Sequence, residues 1–168
     1  MFGRRSLLLF VIKVFVLILV FSSFWPFVAP GYATLLSAAA NGLAPSSINF
    51  VAVESEINIY SGAQLTPFSL QSLIFQAGQP ILMALILATP GLGVKKWLKY
   101  IIVGVVLTFG IHIASILILS INIRSIRPLV VLFASVGIDL FPVLIWVGLT
   151  ARYWWPGRTK VTPQPGAD

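Results

Sequence analysis

His112 is the chain's only histidine, and it stands inside the apolar run "FGIHIASILIL" at 109–119. Other polar groups are set in similar surroundings: Asp139 in "GIDLFP", Gln76 and Gln79 in "SLIFQAGQPILM", and Ser115 one helical turn after His112. A carboxylate without a partner near a bilayer centre costs at least about 2.5 to 3.5 kcal/mol on insertion scales, so such groups face a bundle interior and pair. The expectation is that His112 and Asp139 are neighbours, with Gln76, Gln79 or Ser115 completing their hydrogen bonds. A histidine beside a carboxylate can titrate near neutral pH and pass protons. The same pair held still is a clamp between helices, which is the reading adopted here because lipid offers no hydrophobic drive to join them.

The remaining charged residues offer less chemistry. Glu54 and Glu56 are two apart in "SINFVAVESEINIYSG" (47–62), so on one strand their carboxylates point the same way. Nothing nearby completes a cation or acid–base site, and a solvated strand face is the simpler reading. Arg124 and Arg127 read as snorkelling to outer headgroups, with an anion or partner contact on the outer face as the sharper alternative. Lys13, about 10 Å into its helix, snorkels the other way. There is no cysteine, no metal-ligand spacing and no phosphate-binding glycine loop, so no metal or cofactor is expected. A hydrolase built on Asp139 would lack the second carboxylate of a dyad.

These residues must be positioned by membrane helices. The 168-residue chain is 58% hydrophobic and 9% charged, with a mean hydropathy of +1.00, values that belong to a chain whose solvent is mostly lipid. Its net charge of +7 sits beside apolar spans rather than along a groove, which argues against nucleic acid as a partner. A spanning helix needs about 20 apolar residues, and four stretches qualify: 6–30, 69–90, 97–122 and 128–155. The predicted fold class is therefore all-α membrane, one domain over 1–155.

Orientation follows from lysine and arginine. With the N-terminus in the cytoplasm, Arg4, Arg5, Lys95, Lys96, Lys99, Arg152, Arg158 and Lys160 fall inside, against Arg124 and Arg127 outside. Both termini are thus predicted cytoplasmic, in the inner membrane. On that topology His112 lies roughly 15 Å below the outer boundary, Asp139 roughly 16 Å, and Gln76 and Gln79 on the order of 10 to 15 Å. Gly31-Tyr32-Ala33 could close a secretory leader, but the apolar stretch before it exceeds the usual ~7 to 15 residues. Its Phe24-Trp25-Pro26-Phe27 end suits the aromatic belt of a retained span.

Residues 31–68 are then extracytoplasmic. "YATLLSAAANGLAP" (32–45) reads as a helix continuing from the first span or lying on the surface. The alternation in 47–62 reads as a strand or hairpin, with Asn49, Val51, Val53, Ser55, Ile57 and Ile59 on one side. Ile48, Phe50, Ala52, Glu54, Glu56, Asn58 and Tyr60 make the other. Open sheet edges are not tolerated in hydrocarbon, so this element belongs outside the bilayer. In "TPGLGVKKWLKY", Pro90, Gly91 and Gly93 stop one helix before the lysines anchor the next. The proline-rich tail 156–168 is expected to be a disordered cytoplasmic peptide.

"FWPFVAPGYATLLSAAANGL", then a β-like stretch, then "ILMALILATPGLGVKKWLKYIIVGVVLTFGIHIASILIL" resembles the exosortase and archaeosortase superfamily and the small membrane proteins associated with exosortase H. The likeness lies in layout and hydrophobic pattern over residues 7–120. Exosortases resemble transpeptidases that use a membrane cysteine with arginine and histidine. This chain has no cysteine, carries Ala114 and Ser115 where the family arginine would be, and does not match the family histidine at His112. The resemblance therefore implies a non-catalytic relative or accessory protein. The expected function is a non-enzymatic accessory or scaffold component of a membrane-bound processing or export system, with the bilayer and a membrane-protein partner or a second copy as partners. The alternative is a small oligomeric proton-coupled carrier or channel built on His112 and Asp139.

Overall fold

The computed structural model describes residues 4–61, 64–66, 73–120, 140–151 and 153. Most of them are helical. In chain order they form α1 (Arg4–Leu43), β1 (Ile48–Val53), β2 (Glu56–Ser61), β3 (Gln64–Thr66), α2 (Leu73–Ala88), α3 (Val94–Ser120) and α4 (Leu140–Ala151). Two of the four described helices, α1 and α3, are long and apolar enough to cross a membrane, over Ser6–Leu43 and Val94–Ile118. The 16-residue α2 spans about 24 Å by its rise, and the 40-residue α1 about 60 Å, twice a hydrocarbon core.

The first helix does not end at residue 30. It runs through Pro26 and Pro30 to Leu43, so 32–43 continues the helix instead of lying separately. Gly31-Tyr32-Ala33 is internal to it, with Ala33 buried. Ala29, Ala33, Leu36, Ser37 and Ala40 are buried and recur at three and four residues along one face. Small side chains there let other elements approach closely. Before that face begins, many large side chains are bare: Leu8 is 61% exposed, Phe15 62% and Phe27 84%.

The segment after α1 is a three-stranded antiparallel sheet in the order β1-β2-β3. β1 and β2 pair from Ile48 with Ser61 to Val53 with Glu56, so Glu54 and Ser55 make a two-residue turn. That turn corrects the expected faces. Pairing Val53 with Glu56 exchanges odd and even positions across the hairpin, which brings Ile57 and Ile59 to the face of Ile48, Phe50 and Ala52. Phe50, Ile57 and Ile59 are buried against Ala33, Leu36 and Ala40 of α1 and Ile116 of α3. Asn49, Val51 and Val53 face out and are exposed.

One side chain ties the sheet to the helix. Asn41 Nδ2 donates to the Phe50 carbonyl at 2.7 Å, and the Phe50 N–H donates to Asn41 Oδ1 at 2.7 Å. Phe50 and Ile59 form a pair whose backbone groups point away from each other, so the amide satisfies the outer edge of β1 as another strand would. Neither Asn41 nor Gly42 takes the left-handed conformation of a helix stop; among described glycines only Gly91 does, with φ +76°. Gly91 breaks the chain between α2 and α3, as its sequence suggests.

α2 and α3 pack as a hairpin. A Cβ at Gly104 would lie 2.9 Å from Leu82 Cδ2, so the glycine lets α2 settle against α3. Around the connecting turn, Leu82, Ile86, Leu92 and Tyr100 form a second core with Trp97, Ile145, Trp146, Leu149 and Tyr153 packed on it. Trp146 Nε1 donates to Thr89 Oγ1 at 2.8 Å, and the Trp146 ring stacks on Phe10 with centroids 5.8 Å apart. The N-terminal turns of α1, the α2–α3 turn and the C-terminal turns of α4 therefore meet at one end of the bundle. The sheet occupies the other.

Candidate functional site

Three helices each place one polar side chain between those two ends. The Tyr32 hydroxyl of α1 lies 2.6 Å from Nδ1 of His112 on α3, and Gln79 Nε2 of α2 donates to the same hydroxyl at 3.4 Å. Gln79 and His112 are each 1% exposed, and Tyr32 is half-buried. Local sequence explains the placement. Tyr32 follows the Ala29 position by three residues and borders the small-residue face on which the sheet rests. Gln79 precedes Pro80 inside α2, and His112 lies one turn after buried Thr108.

The geometry defines a chain of donors. With the Gln79 amide donating to Tyr32 Oη, the hydroxyl proton is directed at Nδ1, and a neutral imidazole then carries its own proton on Nε2. Turning the Gln79 amide over reverses the chain without moving a ring: Nδ1–H donates to Tyr32, and Tyr32 donates to Oε1. As assigned, Gln79 Oε1 is buried with no hydrogen-bond partner among the described residues. Aromatic contacts fix the tyrosine between them. Its ring meets His112 edge-on at 5.9 Å and Phe109 edge-on at 5.7 Å, and lies 5.7 Å from Trp25.

The sequence-predicted residues are distributed as follows. His112 and Gln79 come together, but through Tyr32, which the sequence reading passed over as part of a small-residue exit. Its signal was available: a phenol in an apolar helix, whose hydroxyl needs a partner when buried. Ser115 is buried on α3 one turn from His112 and shares its face. Asp139, the Gln76 side chain, Arg124 and Arg127 lie outside the described residues. Glu54 and Glu56 do not project together from one strand: Glu54 occupies the turn with φ +54°, and Glu56 begins β2. Among the described residues no three His, Cys, Asp or Glu side chains gather as metal ligands would.

Compared with known protein families, curated proteins and solved structures, the chain matches none.

Proposed function

We propose that this chain is a non-enzymatic multi-pass protein of the cytoplasmic membrane, an accessory or scaffold component of a membrane-bound protein-processing or export system. In this reading four helices span, both termini are cytoplasmic, and the sheet stands on the outer face where a partner meets it. The observation that carries it is the use made of the buried polar groups. Tyr32, Gln79 and His112 come from three different helices and are joined to one another, an arrangement suited to holding a bundle in a solvent that gives helices no reason to associate. Asp139, at a matching depth on the last span, is proposed as a further partner of His112.

The second reading is a proton-coupled carrier or channel, favoured by the reversible donor chain and the unmatched Gln79 Oε1. One comparison separates the two. His112→Gln and Asp139→Asn, reconstituted in vesicles, should unfold at lower temperature while passive and gradient-driven proton flux stays at the wild-type level. Flux lost at normal abundance and unchanged unfolding temperature would replace the scaffold by the carrier. Topology is checked with single cysteines, for which the cysteine-free chain is a clean background. Ser47→Cys should react with an impermeant maleimide from outside, and Gly93→Cys only after the membrane is opened.

A further inference from the structure

The end of the bundle opposite the sheet carries charge that nothing in the described protein neutralises. Lys95, Lys96 and Lys99 lie in the first turns of α3 and are all exposed. No acidic residue stands in the first turn of that helix. The two described carboxylates, Glu54 and Glu56, belong to the sheet at the other end. Helix energetics do not explain the cluster, because cations at the start of a helix oppose its dipole. Lys13, also exposed, lies on the turn after Phe10, whose ring stacks on Trp146 at this same end.

The surface beside the lysines is built like a membrane boundary. Lys96 Nζ sits 5.5 Å over the Tyr153 ring, which gives that lysine a defined direction. Trp97 and Tyr100 alternate with the lysines and turn into the apolar core with Leu92 and Leu149. Ammonium groups beside exposed apolar side chains, here Val94 and Leu98, are suited to lipid phosphates above an acyl boundary, where an anionic leaflet attracts each lysine.

We propose that Lys95, Lys96 and Lys99 form a binding surface for anionic phospholipid headgroups of the cytoplasmic leaflet, and that this lipid steadies the α2–α3 turn. The inference rests on the membrane reading above and on charge complementarity: three ammonium groups gathered at one turn, with no carboxylate there among the described residues. The occupant is a lipid rather than an acidic protein segment because Val94, Leu98 and Ile102, interleaved with the lysines on the same turns, are exposed, as apolar side chains at an acyl boundary are.

The test uses the full chain in nanodiscs of phosphatidylcholine alone or of phosphatidylcholine with phosphatidylglycerol. Native mass spectrometry reads retained phosphatidylglycerol, and circular dichroism reads the unfolding temperature. Wild type should retain the anionic lipid and unfold at higher temperature in its presence. The variant Lys95→Gln/Lys96→Gln/Lys99→Gln should retain it on the order of tenfold less and lose the temperature difference. Arg158→Gln/Lys160→Gln, which removes charge from the tail, should behave as wild type. Equal retention by the triple variant and wild type, or loss as large in the tail variant, overturns the site. A chain that inserts into neutral discs with no response to phosphatidylglycerol also overturns the site while leaving the membrane reading standing. A chain that enters neither disc defeats both.

Discussion

The two halves of α1 are one continuous helix in two environments. Residues 6–28 present Leu7, Leu8, Phe15, Leu19, Phe24 and Phe27 bare, and the most apolar window of the helix has no buried residue. From Ala29 onward, alanines and Leu36 are buried under Phe50, Ile57 and Ile59, and Tyr32 reaches two other helices. The first half is more hydrophobic yet touches less protein. High hydropathy here marks the part of the helix that packs on little of the chain, and small residues with a lone phenol mark the part that other elements cover. A helix packs closely where its side chains are short enough to admit a neighbour.

The largest effect that could break this contrast is expected under the sheet. Phe50→Ala should destabilise the sheet-capped end by about 3 to 5 kcal/mol, since it empties a fully buried site. Phe15→Ala, equally large a truncation on the exposed half, should leave unfolding in nanodiscs within about 0.5 kcal/mol of wild type. Comparable losses from both would mean that the first half is packed against protein. An intermediate effect sharpens the role of the polar link. Tyr32→Phe keeps the ring contacts but strips partners from His112 Nδ1 and Gln79 Nε2, and should cost about 1 to 3 kcal/mol. In a double-mutant cycle with His112→Gln the two losses should not add; full additivity would show the pair to be energetically independent. The smallest effect lies at the hairpin. Glu54→Gly should stabilise the sheet by up to about 1 kcal/mol, read as slower amide exchange in β1 and β2, because only the turn's positive φ is relieved. Faster exchange would mean that the glutamate side chain contributes there.

Legibility differed from one residue to the next. The turn at Gly91 was readable because a glycine between proline and a new helical run has one common use, and its φ of +76° fits it. The hairpin was readable as an element but not in its faces. Glu54-Ser55 lacks the glycine or asparagine that marks a two-residue turn, so the alternation looked unbroken and Ile57 and Ile59 were assigned to the wrong side. Asn41 gave no local signal of its use: its amide serves as a surrogate strand for Phe50, a role that depends on what lies nine residues later. His112 and Gln79 were identified by the cost of burying them. Tyr32 was missed because a tyrosine is unremarkable until its hydroxyl is known to be enclosed.

Composition and periodicity alone determined the existence of long apolar helices and of a β segment, and the demand that His112 and Gln79 find partners. Those follow from transfer free energies, which belong to each side chain wherever the chain goes. Which partners they found was decided only by tertiary structure. The angle and offset at which α1 crosses α2 and α3 bring residue 32 within hydrogen-bond reach of residues 79 and 112. Contacts between residues that far apart in the chain depend on the whole packed arrangement, and no local pattern of hydrophobicity carries that information.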